Sequence, residues 1–515
     1  MECILVMDYG GQYCHLIARR IRELGVYTEI ISPQSMVKDL EDYGQRYNLK
    51  GLILSGAPKS VHDEGALRLS SDLMDYLSVK QIPVLGICYG HQLIADYAGG
   101  VVKPGGKKEY GITEVSIDEP DLLLRGLSDR ESVWMSHSDT VEQIPPDYEL
   151  LAHTDNTPVV AFKHKLSHIY GLQFHPEVVH TPCGGKIFNN FVHVICGCTG
   201  NWRIADFMTE SVKEIKNKIG DGKAVIALSG GVDSSTAALL THRAIGEQLV
   251  SVFIDTGLMR KNEPEAVRET FEQQMHLNFR FVDARARFFK ALRGVVDPEE
   301  KRKIIGNLFI RVFEEVANNI NASYLVQGTI YPDRIESGLK DAATIKSHHN
   351  VGGLPDVSGL EIIEPLRNLY KDEVRVVARE LGLPVEISER HPFPGPGLAI
   401  RVVGKVTEES VAVVREADAI VEEEILLAGL DKSLWQFFAV LLPVKSVGVQ
   451  GDERTYSYTI ALRMVESVDG MTANFAEVSY AVLGGIATRI TNEIPQVNRV
   501  VYDLTHKPPG TIEWE

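Results

Sequence analysis

The sequence predicts an α/β protein in three parts: two successive strand–helix units built on largely parallel sheets, then a small α+β unit. Three observations carry this. Short apolar runs of strand length alternate with amphipathic helical stretches, the pattern of a mostly parallel sheet covered on both faces. That pattern stops at Gly197-Cys198-Thr199-Gly200 and begins again. Beyond His391-Pro-Phe-Pro-Gly-Pro-Gly397, which cannot be regular structure, strand-like and helical stretches alternate differently. At 515 residues the chain is also too long for one core, since a domain takes roughly 100–200 residues. The expected parts are 1–198, 199–392 and 393–515.

In the first part, residues 4–8 read as a buried strand ending in Gly10-Gly11, and 15–24 have helical spacing stopped by Gly25. Strands follow at 28–32, 51–55 and 83–88. In such a sheet functional loops lie at the carboxyl ends of strands, where Gly10, Ser55-Gly56 and Cys88 fall. In the second part a helix over 204–219 precedes a strand over 224–228. Then come helix 234–245, strand 249–255, helix 263–275, strand 279–282, a long helix 301–320 and strand 323–327. Helix 371–381 is stopped by Gly382 and Pro384. In the third part strands are expected at 401–406, 455–464 and 499–504, and helices at 410–428 and 475–494.

Composition excludes several classes. A net charge of −17 argues against sequence-independent binding of nucleic acid, which depends on neutralising phosphates, though a local basic pocket can sit inside an acidic protein. No apolar run approaches the ~20 residues needed to span a bilayer, and the first residues run directly into a strand pattern without the features of a signal peptide. Six cysteines in so long a chain do not form a disulfide framework. A reducing cytoplasm is the expected location.

Two motifs carry chemistry. Gly86-Ile-Cys88-Tyr89-Gly90, between a strand and a helix, has the pattern of a nucleophile elbow with cysteine as nucleophile. The helix starting near Tyr89 aims its positive end at Cys88. Downstream, Phe174-His175-Pro-Glu177 supplies an imidazole to move protons and a carboxylate to orient it. The backbone N–H groups of Gly56 and Tyr89 are the expected donors to an oxyanion. An isolated cysteine is more often a small buried hydrophobe; the elbow together with the His-Pro-Glu segment reverses that preference. Cys183, His193, Cys196 and Cys198 lack the spacing of a common zinc site and read as structural.

The second motif, Ser229-Gly230-Gly231-Val232-Asp233-Ser234-Ser235, follows a buried strand and opens a helix. Glycines let backbone N–H groups close on an anion, and the helix N-terminus adds its dipole. The Gly-Lys-Ser/Thr of a Walker A loop is missing. The expected ligand is therefore the pyrophosphate portion of ATP, and the expected chemistry is attack at the α-phosphorus. Asp255, ending the next strand, stands where a nucleoside could be held. Lys346, within Ile345-Lys346-Ser-His348-His349-Asn350, belongs to a lid-like segment.

With both motifs in view the whole chain resembles the glutamine-hydrolysing GMP synthase family. Further stretches share the likeness: Gln327-Gly-Thr, Pro332-Asp-Arg-Ile-Glu-Ser337, Glu364-Pro-Leu366, Tyr370-Lys-Asp-Glu-Val374, Ile400-Arg401 and the closing Lys507-Pro-Pro-Gly-Thr-Ile-Glu-Trp-Glu515. The resemblance implies a class I glutamine amidotransferase domain over 1–198. It implies an ATP pyrophosphatase (PP-loop) domain of adenine-nucleotide α-hydrolase-like fold over 199–392, and a dimerisation and XMP-binding domain over 393–515. Its implied substrates are glutamine, ATP with Mg²⁺, and xanthosine 5′-monophosphate (XMP). By matching motifs, Arg302, Arg401, Gln450, Lys507, Ile512 and Glu513 would contact XMP, Lys346 and Lys371 would face the reacting phosphates, and Asp233 would help place the metal. A homodimer is implied as well. The alternative is the same pair of modules acting on a different acceptor. Two positions depart from the family pattern: Ala57, where a second glycine is common, and Ser138, where glycine is usual.

Overall fold

The computed structural model describes residues 1–336, 359–389, 391–450, 453–467 and 472–515. The chain divides into two compact units, Met1–Phe207 and Met208–Glu515.

The first unit is built on one nine-stranded sheet: β1 (Glu2–Met7), β2 (Tyr27–Ile31), β3 (Asn48–Leu54), β4 (Val84–Ile87), β5 (Val101–Ile117), β6 (Arg130–Gln143), β7 (Tyr148–His153), β8 (Ala161–His164) and β9 (Ile169–Leu172). Their order is β2-β1-β3-β4-β9-β8-β7-β5-β6. Strands β2 to β9 in that order pair in parallel, as the continuous apolar runs require. The expectation of a mostly parallel sheet is corrected for the other half, because β8, β7, β5 and β6 pair antiparallel. Residues 101–172 hold no helix between their strands, so no crossover can bring those strands round in parallel. The core includes Leu5, Met7, Leu52, Leu54, Val84, Leu93 and Phe162, all essentially inaccessible.

The second unit contains a five-stranded parallel sheet: β10 (Ala224–Leu228), β11 (Leu249–Asp255), β12 (Phe279–Asp283), β13 (Tyr324–Val326) and β14 (Glu361–Ile363). The order is β12-β11-β10-β13-β14. A four-stranded sheet follows, in which the long ribbon of β15 (Gln436–Gln450) and β16 (Glu453–Glu466) is joined by β17 (Asn474–Phe475) and β18 (Val497–Tyr502). The residues of 393–515 share their core with the parallel sheet: Val225, Val252, Phe288, Phe313, Leu398, Val414, Leu441 and Ile490 belong to one buried cluster.

Three elements differ from those the sequence predicts. Residues 401–406 are not a strand: Gly397–Arg401 is a 3-10 helix, and only Val402 bridges, to Leu441. Two features hold it so: Gly397 takes φ +64° and approaches so closely that a Cβ would sit 2.3 Å from the Leu258 carbonyl oxygen, and Arg401 is held by Asp418 and Glu513. Residues 475–494 split into β17 and the helix Tyr480–Glu493, whose start is fixed by the Ser479 side chain accepting from the Val482 N–H. The helix expected over 263–275 becomes π-helical after Arg268.

Candidate active sites

In the first unit the chain makes its elbow at the C-terminal end of β4. Cys88 takes φ 53°, ψ −101°, a conformation that non-glycine residues avoid and that over-determined functional sites retain. The flanking glycines serve a different need from the turn itself. A Cβ on Gly86 would lie 2.4 Å from the Gly90 carbonyl oxygen, and one on Gly90 would lie 2.4 Å from that of Leu54. Strand and helix therefore pack backbone to backbone, and the strain falls on the cysteine.

Cys88, His175 and Glu177 are all buried. His175 Nδ1 lies 2.7 Å from Glu177 Oε1, which makes Nδ1 the protonated nitrogen and leaves Nε2 for the sulfur. Burial alone would push the imidazole pKa down; the Glu177 carboxylate and the Cys88 sulfur outweigh it and hold the group well above its ordinary value. The ring is held in place by backbone and side-chain neighbours. His175 N–H donates to the Trp134 carbonyl (3.0 Å), the Thr181 hydroxyl donates to the His175 carbonyl (2.7 Å), and Tyr13 packs edge-on at 5.1 Å. Arg20 Nε donates to the Glu177 carbonyl at 3.1 Å.

The expected oxyanion donors sit beside Cys88. A Cβ on Gly56 would be 3.7 Å from Cys88 Cβ and 3.4 Å from His175 Cε1, and Tyr89 heads the helix Tyr89–Tyr97, whose first N–H groups have no partner within the helix. The Gly56 loop is clamped: Gly11 N–H donates to the Gly56 carbonyl (3.1 Å), and Tyr9 N–H donates to Ser55 Oγ (3.0 Å). The Ala57 methyl packs on the core cluster, so this departure is absorbed without opening the loop. Such a site can attack an amide carbon with sulfur, protonate departing ammonia from the imidazolium, and hold the oxyanion on backbone donors.

In the second unit the glycine-rich loop closes around its own hydroxyls. Gly230 has φ +74°. Gly231 N–H donates to Ser229 Oγ (3.3 Å), the Ser229 and Ser234 hydroxyls are 2.9 Å apart, and Ser235 Oγ donates to the Gly231 carbonyl (2.7 Å). The helix Val232–Ile245 then leaves the loop with Gly231 as its N-cap. Gly328 packs against it, because a Cβ there would be 3.0 Å from Ser234 N. Lys371 Nζ pairs with Asp233 Oδ2 at 2.6 Å, which places that lysine at the loop. Asp233 Oδ1 is buried without a hydrogen-bond partner. Asp255 is buried at the end of β11, and burial raises its carboxyl pKa. Its carboxylate accepts from Gly257 N–H at 2.8 Å.

The residues expected at XMP have varied placements. Arg401 is 2% exposed, and its three guanidinium nitrogens are engaged by Asp418 (3.2 Å) and Glu513 (3.1 and 3.4 Å). Arg302 donates to the Glu515 main-chain oxygen. Beside it, fully buried Lys301 pairs with the Glu515 side chain. Ile512 packs on Phe438 and Val440. Lys507 exchanges main-chain hydrogen bonds with Ala473 (2.7 and 3.0 Å), and Gln450 closes β15. Lys346 lies outside the described residues.

Three family models match in succession: "Glutamine amidotransferase class-I" over residues 5–195, "NAD synthase" over 202–332 and "GMP synthase C terminal domain" over 423–514. The chain is 52% identical to the "GMP synthase [glutamine-hydrolyzing]" of Thermosynechococcus vestitus, over 100% of this chain and 96% of that one. The proteins of the same name from Caldicellulosiruptor saccharolyticus and Clostridium botulinum are 53% and 51% identical, each over 100% of this chain and 99% of theirs. The chain belongs to the glutamine-hydrolysing GMP synthase family.

Within this member of the family, sequence reasoning missed several residues around the two sites. Gln92, one helical turn past Cys88, donates to the Asp139 carbonyl (2.8 Å) and to Gln173 Oε1 (3.1 Å). Glu109 and His137 form a buried pair. The signal for Gln92 was its i+4 spacing from the nucleophile; for Glu109 nothing in the local sequence distinguished it. Cys183, Cys196 and Cys198 are buried free thiols, and His193 Nδ1 bonds the Cys198 carbonyl at 2.8 Å.

Proposed function

We propose that the protein hydrolyses glutamine at Cys88 and uses the ammonia to convert XMP into GMP at the expense of ATP. The observation that carries this is the presence, in one chain, of the buried Cys88–His175–Glu177 row and the glycine-rich loop, in a chain with full-length similarity to GMP synthases. Cys88 sulfur attacks the glutamine amide carbon. The tetrahedral oxyanion rests on the N–H groups of Gly56 and Tyr89, and His175 gives a proton to the departing ammonia. Water activated by the same imidazole then cleaves the thioester to glutamate.

In the second unit the loop from Ser229 to Ser235 holds the ATP phosphates. O2 of XMP attacks the α-phosphorus, pyrophosphate leaves, and ammonia displaces AMP from C2 to give GMP. Lys371 offsets charge on the phosphates, and Asp255 stands by the nucleoside. Among the described residues no three His, Cys, Asp or Glu side chains cluster as a metal site. The orphaned Asp233 Oδ1 suits Mg²⁺, which is commonly held by one or two carboxylates plus substrate phosphates, and the ion would supply charge neutralisation there. Lys507 and Arg302 are the candidates for the XMP phosphate, and Gln450 is a further candidate contact. Arg401, Ile512 and Glu513 are further candidate XMP contacts, with Arg401 paired to Glu513.

We further propose a three-domain partition, a cytoplasmic location in keeping with six free thiols, and a homodimer. No helix among the described residues is long and apolar enough to cross a membrane. Support for the dimer comes from the ribbon of β15 and β16, which exposes Val444, Val447, Val449 and Tyr456, an apolar row that a second copy would cover.

The test is GMP and pyrophosphate formation from XMP, ATP and Mg²⁺ with glutamine or ammonium. Cys88→Ala is expected to abolish the glutamine-driven reaction and leave the ammonium-driven one; loss of both would refute the division of labour. Pyrophosphate release with another nucleotide but not with XMP would favour the alternative acceptor.

A further inference from the structure

A second buried histidine–glutamate pair lies near Cys88, on β5 and β6. The register of β5 and β6 sets Glu109 directly opposite His137. Their side chains are 4% and 1% exposed, with His137 Nε2 3.3 Å from Glu109 Oε2. Glu109 accepts from the hydroxyls of Thr154 (3.0 Å) and Thr157 (2.7 Å) and from Asn156 Nδ2 (3.4 Å). His137 Nδ1 lies 3.0 Å from the Asp139 carbonyl. A carbonyl can only accept, so Nδ1 carries a hydrogen. Were Nε2 bare, its lone pair would face a carboxylate oxygen out of reach of water, two acceptors with no donor between them. Among the described residues, His137 Nε2 has no hydrogen-bond partner besides this carboxylate contact.

The two carbonyls flanking this imidazole both reach the nucleophile's helix. Cys88 Sγ lies 3.7 Å from the Ser136 carbonyl, and the Asp139 carbonyl takes the Gln92 amide at 2.8 Å. We propose that Glu109 and His137 are a positioning pair that holds residues 136–139 as the wall of the glutamine pocket against Cys88. Charged or titratable groups acting on His137 are Glu109 and His175, Asp139 through its backbone, and His91, buried and neutral with its pKa pushed down to about 3 by burial. Burial pushes His137 below its ordinary pKa as well, against the pull of Glu109.

The inference rests on Cys88 being the glutaminase nucleophile, and the experiment separates the two. Glu109→Gln keeps the shape and removes the carboxylate charge facing His137. The expected result in the full-length enzyme is a glutamine KM raised about tenfold or more with kcat changed less than about threefold. Alkylation of Cys88 by iodoacetamide, which needs no pocket, should be unchanged, whereas inactivation by a glutamine-like chloroketone should slow in parallel with KM. Ammonium-driven GMP synthesis should be unaffected. Thr157→Val, a milder loss of one donor to Glu109, should move KM in the same direction and decides the matter if Glu109→Gln does not fold. An unchanged glutamine KM in the folded variant overturns the proposal, as does an equal fall in the iodoacetamide rate. Glutamine use persisting in Cys88→Ala would instead overturn the underlying assignment.

Discussion

At the scale of single residues, position and protonation are set by what each side chain is buried against. Glu177 makes the largest upward contribution to the His175 pKa, opposing burial. Glu177→Gln should therefore let the imidazolium lose its proton at lower pH. The alkaline limb of the glutaminase pH profile is expected to move to lower pH; a limb that stays in place would mean another group controls it. The raised pKa also contributes stability that is fully present below the unfolded imidazole value of about 6.5 and is lost as pH rises through the folded value. Cys88 carries a backbone strain of order 1–3 kcal/mol at φ 53°. Cys88→Gly should then unfold at higher temperature than Cys88→Ala by calorimetry, though both lack glutaminase activity. The triad was legible because its residues lie in two compact motifs. Glu109 and His137 were not, since they are 28 residues apart and only the β5–β6 register joins them.

At the scale of elements, apolar runs bounded by glycine specified their structures closely. The helix Ile204–Ile219 and strands β10 and β11 occupy the residues expected from periodicity alone. Residues 401–406 read as a strand because Arg401-Val402-Val403 looks β-forming, but Arg401 is drawn into a buried ion network and its backbone follows. Arg401 stays charged because Glu513 and Asp418 outweigh the cost of burial. Arg401→Met would leave two carboxylates without their partner and is expected to destabilise the second unit by about 3–5 kcal/mol, read by denaturant unfolding. A loss below about 1 kcal/mol would place those carboxylates in contact with water instead.

At the scale of the whole molecule, the described residues proposed for each chemistry fall within one unit. Residues 208–515 contain the glycine-rich loop, Lys371 and all the residues assigned to XMP, on a core shared between the parallel sheet and the C-terminal sheet. Expressed alone, 208–515 is expected to make GMP from ammonium and none from glutamine, whereas 199–392 alone should not fold, because its core would lose Leu398, Val414, Leu441 and Ile490. By itself the sequence determined the two motifs, the strand–helix alternation around them and the family, since these depend on residues close together in the chain and on local backbone demands. Only the tertiary structure decided which carbonyls lie behind Cys88, that Arg401 is closed off by Asp418 and Glu513, and that the last residues dock onto Lys301 and Arg302. These pairings join residues far apart in sequence. Their partners are chosen by sheet register and by the need to satisfy every buried charge, neither of which is written in any local pattern.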